Sequence, residues 1–238
     1  MNEQQDLPAG DFSSWLRHTR HTLVAEDGTP VDCAGCHACC SSSYFIHIRP
    51  EETRTLGRID KSLLAAAPGL PQGHVLLGYD KKGYCPLLIR GRCSIYEDRP
   101  RTCRTYDCRI FTAAGIAAGG QDKARITQRA RRWKFSYPTK LDRDEHFAVQ
   151  AAARFIREHA ECFPGGAIPS NPSQLAILAI KVYAVFLENE GEVTGAGRVS
   201  ADIEVARAIV AACDKFDAAT AGTAARLEQL DAWLRPNR

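Results

Sequence analysis

Three features of this 238-residue sequence predict an α+β fold, in which a small metal-organised cysteine-rich N-terminal unit with short strands packs against a C-terminal helical bundle. Eight of the ten cysteines fall between Cys33 and Cys108, in a stretch rich in turn residues. Short β-branched and aromatic runs separate them, as in strands. From residue 144 onwards the apolar residues recur at helical spacing instead. With 25% charged and 45% hydrophobic residues, the composition is that of a globular chain long enough to bury a core. The expected division is residues 1–27 as a tail and short helix, 28–140 as the cysteine-cluster unit and 141–238 as the helical bundle.

Residues 1–10 read as a flexible tail, followed by a short helix over 11–24 with Trp15, Leu16 and Leu23 inward and Asp11 as its N-cap. His18 and His21 lie three apart on it and read as solvated side chains. Asp27-Gly28-Thr29-Pro30 is turn chemistry that delivers the chain to Cys33. Residues 44–48 read as a strand, and Pro50-Glu51-Glu52 as a helix start with proline at the first position. A loop is expected over 68–73, then strands over 74–79 and 84–89 joined through Asp80-Lys81-Lys82-Gly83. A second helix should start after residue 97 with Asp98 as its cap, and 113–120 should be a connection with little core of its own.

The remainder is helical by pattern. Residues 144–163 carry Val149, Ala152, Ala153, Phe155, Ile156 and Ala160 on one face, stopped by Pro164-Gly165-Gly166. Residues 172–189 are apolar nearly all round, which suits the middle of a bundle. After a loop over 190–198, amphipathic helices are expected over 200–219 and 223–234. No apolar run reaches the roughly 20 residues needed to span a bilayer. Met1-Asn2-Glu3-Gln4-Gln5-Asp6 has neither the basic region nor the apolar run of a secretory signal, so a cytoplasmic location is expected.

In a reducing compartment, clustered cysteines are metal ligands more often than disulfides. The first set is Cys33-Ala34-Gly35-Cys36-His37-Ala38-Cys39-Cys40, and the second is Cys85, Cys93, Cys103 and Cys108. Thiolates at C-x-x-C spacing can supply two ligands of a tetrahedral zinc site from one turn, and Gly35 permits that turn. Cys39 and Cys40 are neighbours whose side chains diverge, which suggests two metals or a cluster. An iron–sulfur cluster also fits the ligand softness, with Cys85-Pro86 as a remote partner, although the ferredoxin spacing is not reproduced. Zinc and iron, including a 4Fe-4S cluster, therefore both remain open as the cofactor. His37 reads as a solvated histidine between ligands, and Cys162 and Cys213 as buried thiols on apolar helix faces.

Charge is unevenly spread. Residues 90–143 hold 14 Lys and Arg against 5 Asp and Glu, although the whole chain carries only +3. Two tetrathiolate zinc sites would carry about −4, which arginines beside the second cysteine set (Arg90, Arg92, Arg99, Arg101, Arg104 and Arg109) would offset. The rival reading is a nucleic-acid surface over 125–134, where cations alternate with Trp133 and lead into Phe135. Counter-charge and solvated surface are the preferred reading, so neither nucleic acid nor membrane is an expected partner.

Taken together, C-x-x-C-x-x-C-C, Cys85-Pro86-Leu87-Leu88, Gly91-Arg92-Cys93-Ser94-Ile95-Tyr96 and Arg99-Pro100-x-x-Cys103-Arg104 resemble the YkgJ-like cysteine-cluster family over residues 28–110. That family is described as zinc- or iron-chelating. The resemblance implies Cys33, Cys36, Cys39, Cys40, Cys85, Cys93, Cys103 and Cys108 as the ligand set. A related cysteine cluster in flagellin lysine methylases implies a second class, a cluster-dependent enzyme acting on a protein partner. No glycine-rich nucleotide or methyl-donor motif accompanies it, and no serine, histidine or carboxylate constellation singles out catalytic residues. The expected function is thus metal binding through the eight cysteines in a structural or redox role. The enzyme is the alternative, and an RNA- or DNA-binding module comes third.

Overall fold

A computed structural model of the chain describes residues 5–25, 31, 35–166, 168–187 and 198–220. In chain order the elements are β1 (Leu7–Asp11), α1 (Phe12–Ala25), β2 (Ile46–Ile48), α2 (Thr53–Leu56), β3 (Leu64–Ala66) and β4 (Val75–Leu77). They continue with β5 (Leu88–Ile89), β6 (Arg92–Cys93), α3 (Arg101–Thr105), α4 (Arg109–Ala114), α5 (Ala124–Arg131) and β7 (Trp133–Ser136). Last come α6 (Lys140–Glu158), α7 (Pro172–Val182), α8 (Ala184–Leu187) and α9 (Arg198–Thr220). The fold is α+β. No helix among the described residues is long and apolar enough to cross a membrane.

The chain forms two compact units that interleave along the sequence, whereas boundaries drawn after residues 27 and 140 would cut it into contiguous pieces. One, the helical unit, comprises Met1–Ala25, Arg109–Ala117 and Arg131–Arg238. The other, the cysteine unit, comprises Glu26–Cys108 and Ala118–Ala130.

In the helical unit, α6, α7 and α4 carry the core. Val149, Ala152, Ala153 and Ile156 of α6 are fully buried, as are Ala176, Ala179, Ile180 and Val182 of α7. Alanine at so many of these positions lets helix axes approach closely, because no long side chain props them apart. The segment 113–120 departs from its expected role as a coreless connection: Ala113 and Ala114 of α4 and Ala118 beyond it are buried. Its small residues are what tight helix packing requires. The expected helix over 172–189 is interrupted at Tyr183, between α7 and α8. Arg20 donates to the carbonyls of Ile180 and Lys181 at 2.7 Å each, satisfying acceptors that the end of α7 leaves open.

The N-terminus also differs from expectation. Residues 7–11 are not a tail but a strand, β1, paired parallel with β7 in the register Leu7 to Trp133 and Asp11 to Ser136. Neither Pro8 nor Gly10 is a strand former, so only the long-range partner makes this a strand. Helix α1 follows, with Trp15 and Leu16 buried and His18 and His21 exposed. Asp11 spends its carboxylate on Ser136 Oγ at 2.5 Å. The Ser13 N–H at the start of α1 donates instead to Asp142 Oδ1 at 2.9 Å. Asp142 simultaneously closes the capping box of α6 with Thr139. His146 stacks on Phe12 with ring centroids 4.3 Å apart, and burial holds its pKa below the usual value.

The cysteine unit is built on the antiparallel sheet β2-β4-β3, with β4 central. Its core comprises Ile46, Ile48, Ile59, Leu77, Cys85 and Leu87, flanked by Cys40, Tyr79, Leu88, Ile95 and Cys103. The strand expected over 84–89 is confined to Leu88–Ile89, as β5. A tight loop turns the chain at Asp80, whose Oδ1 accepts the N–H groups of Lys82 and Tyr84 at 2.8 Å each. Leu88 and Ile89 pair with Cys93 and Arg92. The two residues between, Arg90 and Gly91, both have positive φ (50° and 74°), the requirement of a type I′ hairpin turn. Asp98 does not cap α3: its carboxylate binds Arg54 and Arg58 at 2.8 and 3.1 Å. Glu52 fills that role, accepting the Arg101 N–H at 2.6 Å. Turn 27–30, loop 190–197 and the helix expected over 223–234 lie outside the described residues.

Candidate metal centre

The first cysteine set ends in a single 3-10 turn, Cys39–Ser41. Gly35 at φ 68° supplies the left-handed residue that turns the chain ahead of Cys36. The turn is tied down from several sides. Ser41 Oγ donates to the His37 carbonyl at 3.0 Å, and Ser42 Oγ to that of Ala38 at 2.6 Å. Tyr79 Oη donates to the Cys39 carbonyl at 3.1 Å, while the Cys85 N–H donates to that of Cys40 at 2.7 Å. Lys123 Nζ donates to the carbonyls of Ser42 and Ser43. Close approach of the 80–84 loop requires Gly83 (φ 78°), since a Cβ there would lie 2.3 Å from Ser43 Oγ.

Four thiols from four separate segments share one neighbourhood. Cys40 leaves the turn, Cys85 follows the 80–84 loop, Cys93 sits on β6 and Cys103 on α3. Every pair among them interacts electrostatically: Cys85 with Cys40 and Cys93, Cys93 with Cys40, and Cys103 with all three. Burial pushes Cys85 up to about 11 and Cys103 up to about 12, with the neighbouring thiols adding to the shift. Cys40 moves the other way, to about 7, because the Cys39 thiol hydrogen-bonds its sulfur. Arg99, stacked on Tyr96 at 4.0 Å, opposes the upward shift at both Cys93 and Cys103.

A second neighbourhood adjoins it. Cys39 and Cys108 both act on the Tyr106 hydroxyl, whose pKa is raised chiefly by burial. Cys36 is half-buried, His37 is exposed as expected, and Cys33 lies outside the described residues. None of the described cysteines is in a disulfide. They are gathered without being closed: among the described residues, the three metal-ligating groups found within 4.8 Å of one another are His159, Glu161 and Cys162, far along the chain. Cys162 and Cys213 are half-buried rather than fully buried, and Cys213 Sγ donates to Asp217 Oδ2 at 3.5 Å.

The donor chemistry fits a thiophilic metal. Several thiols converge on an apolar interior where a free thiolate is disfavoured, so a cation that replaces their protons would be held strongly. Sequence reasoning missed Tyr79 and Lys123, which brace the backbone at the Cys39–Ser41 turn, because nothing in their local sequence marks them. It also offered the 125–134 stretch as a stacking surface. Trp133 and Phe135 are in fact buried on the inner face of β7, so those rings are covered. Arg125 lies over the Tyr84 ring at 5.2 Å and Arg132 donates to the Gln5 carbonyl at 2.8 Å.

These features define a domain organised around a cysteine cluster. Residues 32–131, which contain all eight clustered cysteines, match the model of the CxxCxxCC family, described as a "putative zinc- or iron-chelating domain". No curated protein and no solved structure matches the chain.

Proposed function

We propose that the chain binds zinc or iron through Cys33, Cys36, Cys39, Cys40, Cys85, Cys93, Cys103 and Cys108, divided into two four-thiol groups, in a structural or redox role in the cytoplasm. The observation that carries the proposal is the mutual interaction of all pairs among Cys40, Cys85, Cys93 and Cys103. Cys39, Cys108, Cys36 and Cys33 make up the other group, with the doublet joining the two: the side chains of Cys39 and Cys40 do not diverge as expected but are hydrogen-bonded to each other. When bound, the metal supplies structural cross-linking, or one-electron chemistry if it is an iron–sulfur cluster. The residues themselves hold it: Cys85 and Cys103 from the apolar side, Arg99 offsetting thiolate charge, and Lys123 and Tyr79 fixing the knuckle backbone.

Metal analysis with visible spectroscopy on protein purified without oxygen tests this reading. Absorption near roughly 400 nm indicates iron–sulfur, and a colourless protein with stoichiometric zinc indicates the other metal. Cys40→Ser should lower the metal bound per chain, whereas Cys213→Ser should leave it unchanged. Metal-free protein from both preparations, or equal metal in both variants, would refute the ligand assignment.

A further inference from the structure

His159, Glu161 and Cys162 come from one reversal at the end of α6. His159 is the C-cap of the helix, at φ −124° and ψ 40°. The following 3-10 turn, Ala160–Cys162, is closed by the Cys162 N–H donating to the His159 carbonyl at 3.0 Å. This swings side chains at i, i+2 and i+3 to one side, with their ligand atoms all within 4.8 Å of one another. The imidazole is held in place by stacking on Phe155, with ring centroids 4.5 Å apart and planes 21° apart. From α9, Asp202 Oδ2 lies 3.6 Å from His159 Nδ1, beside that group rather than within it. Glu161 Oε1 lies 3.9 Å from the same nitrogen.

Those separations are informative. An N–H···O hydrogen bond spans about 2.7–3.2 Å, so neither carboxylate is hydrogen-bonded to the ring. Ligands of one tetrahedral zinc ion, each about 2.0–2.3 Å from the metal, stand about 3.3–3.6 Å apart. The two carboxylates stand off His159 by those edges plus a few tenths of an ångström, and the three grouped ligand atoms, all within 4.8 Å of one another, are within reach of side-chain rotation. Imidazole, thiolate and carboxylate are each zinc donors, and the mixed N, S, O set suits a borderline divalent cation. Exposure assigns the roles: Asp202 and His159 are 21% and 33% exposed, while Glu161 is 73% exposed.

The geometry points to a separate mononuclear zinc-class site, held by His159 and Cys162, with Glu161 as the exposed and exchangeable third ligand and the less exposed Asp202 adding negative charge beside the imidazole. It shares no residue with the eight-cysteine assembly and stands whether or not that assembly binds metal.

Equilibrium dialysis of the metal-free full-length protein against zinc, with metal counted by atomic emission, tests it. The His159→Gln, Cys162→Ser double variant should bind one zinc fewer per chain than the wild type. That difference does not depend on what the other cysteines hold. Equal zinc in the two proteins overturns the site and leaves an ordinary histidine–carboxylate cluster. Should circular dichroism show the double variant unfolded, Asp202→Asn replaces it. This isosteric change should weaken the same equivalent by at least about tenfold, the scale on which even outer-shell changes act. An unchanged affinity there overturns the proposal equally.

Discussion

The helical unit and the cysteine unit solve the stability problem by different means. In the helical unit, α4, α6 and α7 each contribute several fully buried apolar side chains, and Phe12, Phe111 and Leu16 are without exposed surface. In the cysteine unit the strands are two or three residues long, and the buried cluster has six members, one of them a cysteine. Short strands with so small a core leave conformational entropy poorly offset, and small units of this kind commonly rely on metal or disulfide cross-links. The difference teaches that the thiols of the cysteine unit stand where side-chain packing would otherwise have to serve.

The sharpest way to break this comparison is to remove the proposed metal. Bound structural metal contributes on the order of 10 kcal/mol or more in small zinc domains. Chelation should therefore expose amides over residues 35–108 to hydrogen exchange while α6 and α7 keep their protection. Uniform protection across both units after chelation would dissolve the distinction.

The reverse experiment targets packing. Phe111→Ala empties a fully buried position of α4 and should cost about 3–5 kcal/mol in denaturant unfolding of the helical unit. Metal content should be unaffected, and a loss of metal in this variant would show that the two units are not independent.

Acid offers a smaller and more specific handle. Hydrogen bonds from Thr139 and Ser13 hold the Asp142 carboxyl at about 2, against about 3.9 in an unfolded chain. Because the folded value is the lower one, its stabilisation is complete above pH ~4 and is lost as the pH falls through about 2. Asp142→Asn should lower the thermal midpoint of the helical unit at neutral pH and flatten its acid limb between those values. A wild-type acid limb in that variant would remove Asp142 from its place as the shared cap of α1 and α6.

The smallest effect is expected at Arg99. Its charge is partly exposed and worth on the order of 1 kcal/mol or less, so Arg99→Ala should weaken metal retention only a few-fold in a chelator competition. A loss as large as that of a cysteine variant would mean that Arg99 does more than offset charge.

Helices α1, α6, α7 and α9 were legible from the sequence, because a 3.6-residue apolar period, a proline at the first position of α7 and the Pro164-Gly165-Gly166 stop are local signals. The cysteine spacing was legible for the same reason, since ligand chemistry is written in residue type and short separations. Other features had no local signal. Asp98 looked like a cap, yet Arg54 and Arg58 compete for its carboxylate from a segment some forty residues away. Trp133 and Phe135 looked like an exposed aromatic-basic stretch until the parallel pairing of β7 with β1 turned them inward.

By itself, then, the sequence determined where the long helices run, that the thiols come in two sets of four, and that an α+β chain results. Tertiary structure alone decided that residues 7–11 form a strand and that Asp142 caps a helix 129 residues away in sequence. The physical reason is range. Propensity, capping and turn chemistry act over a few residues, whereas strand pairing, shared caps and convergent thiols depend on segments that meet only once the core has formed.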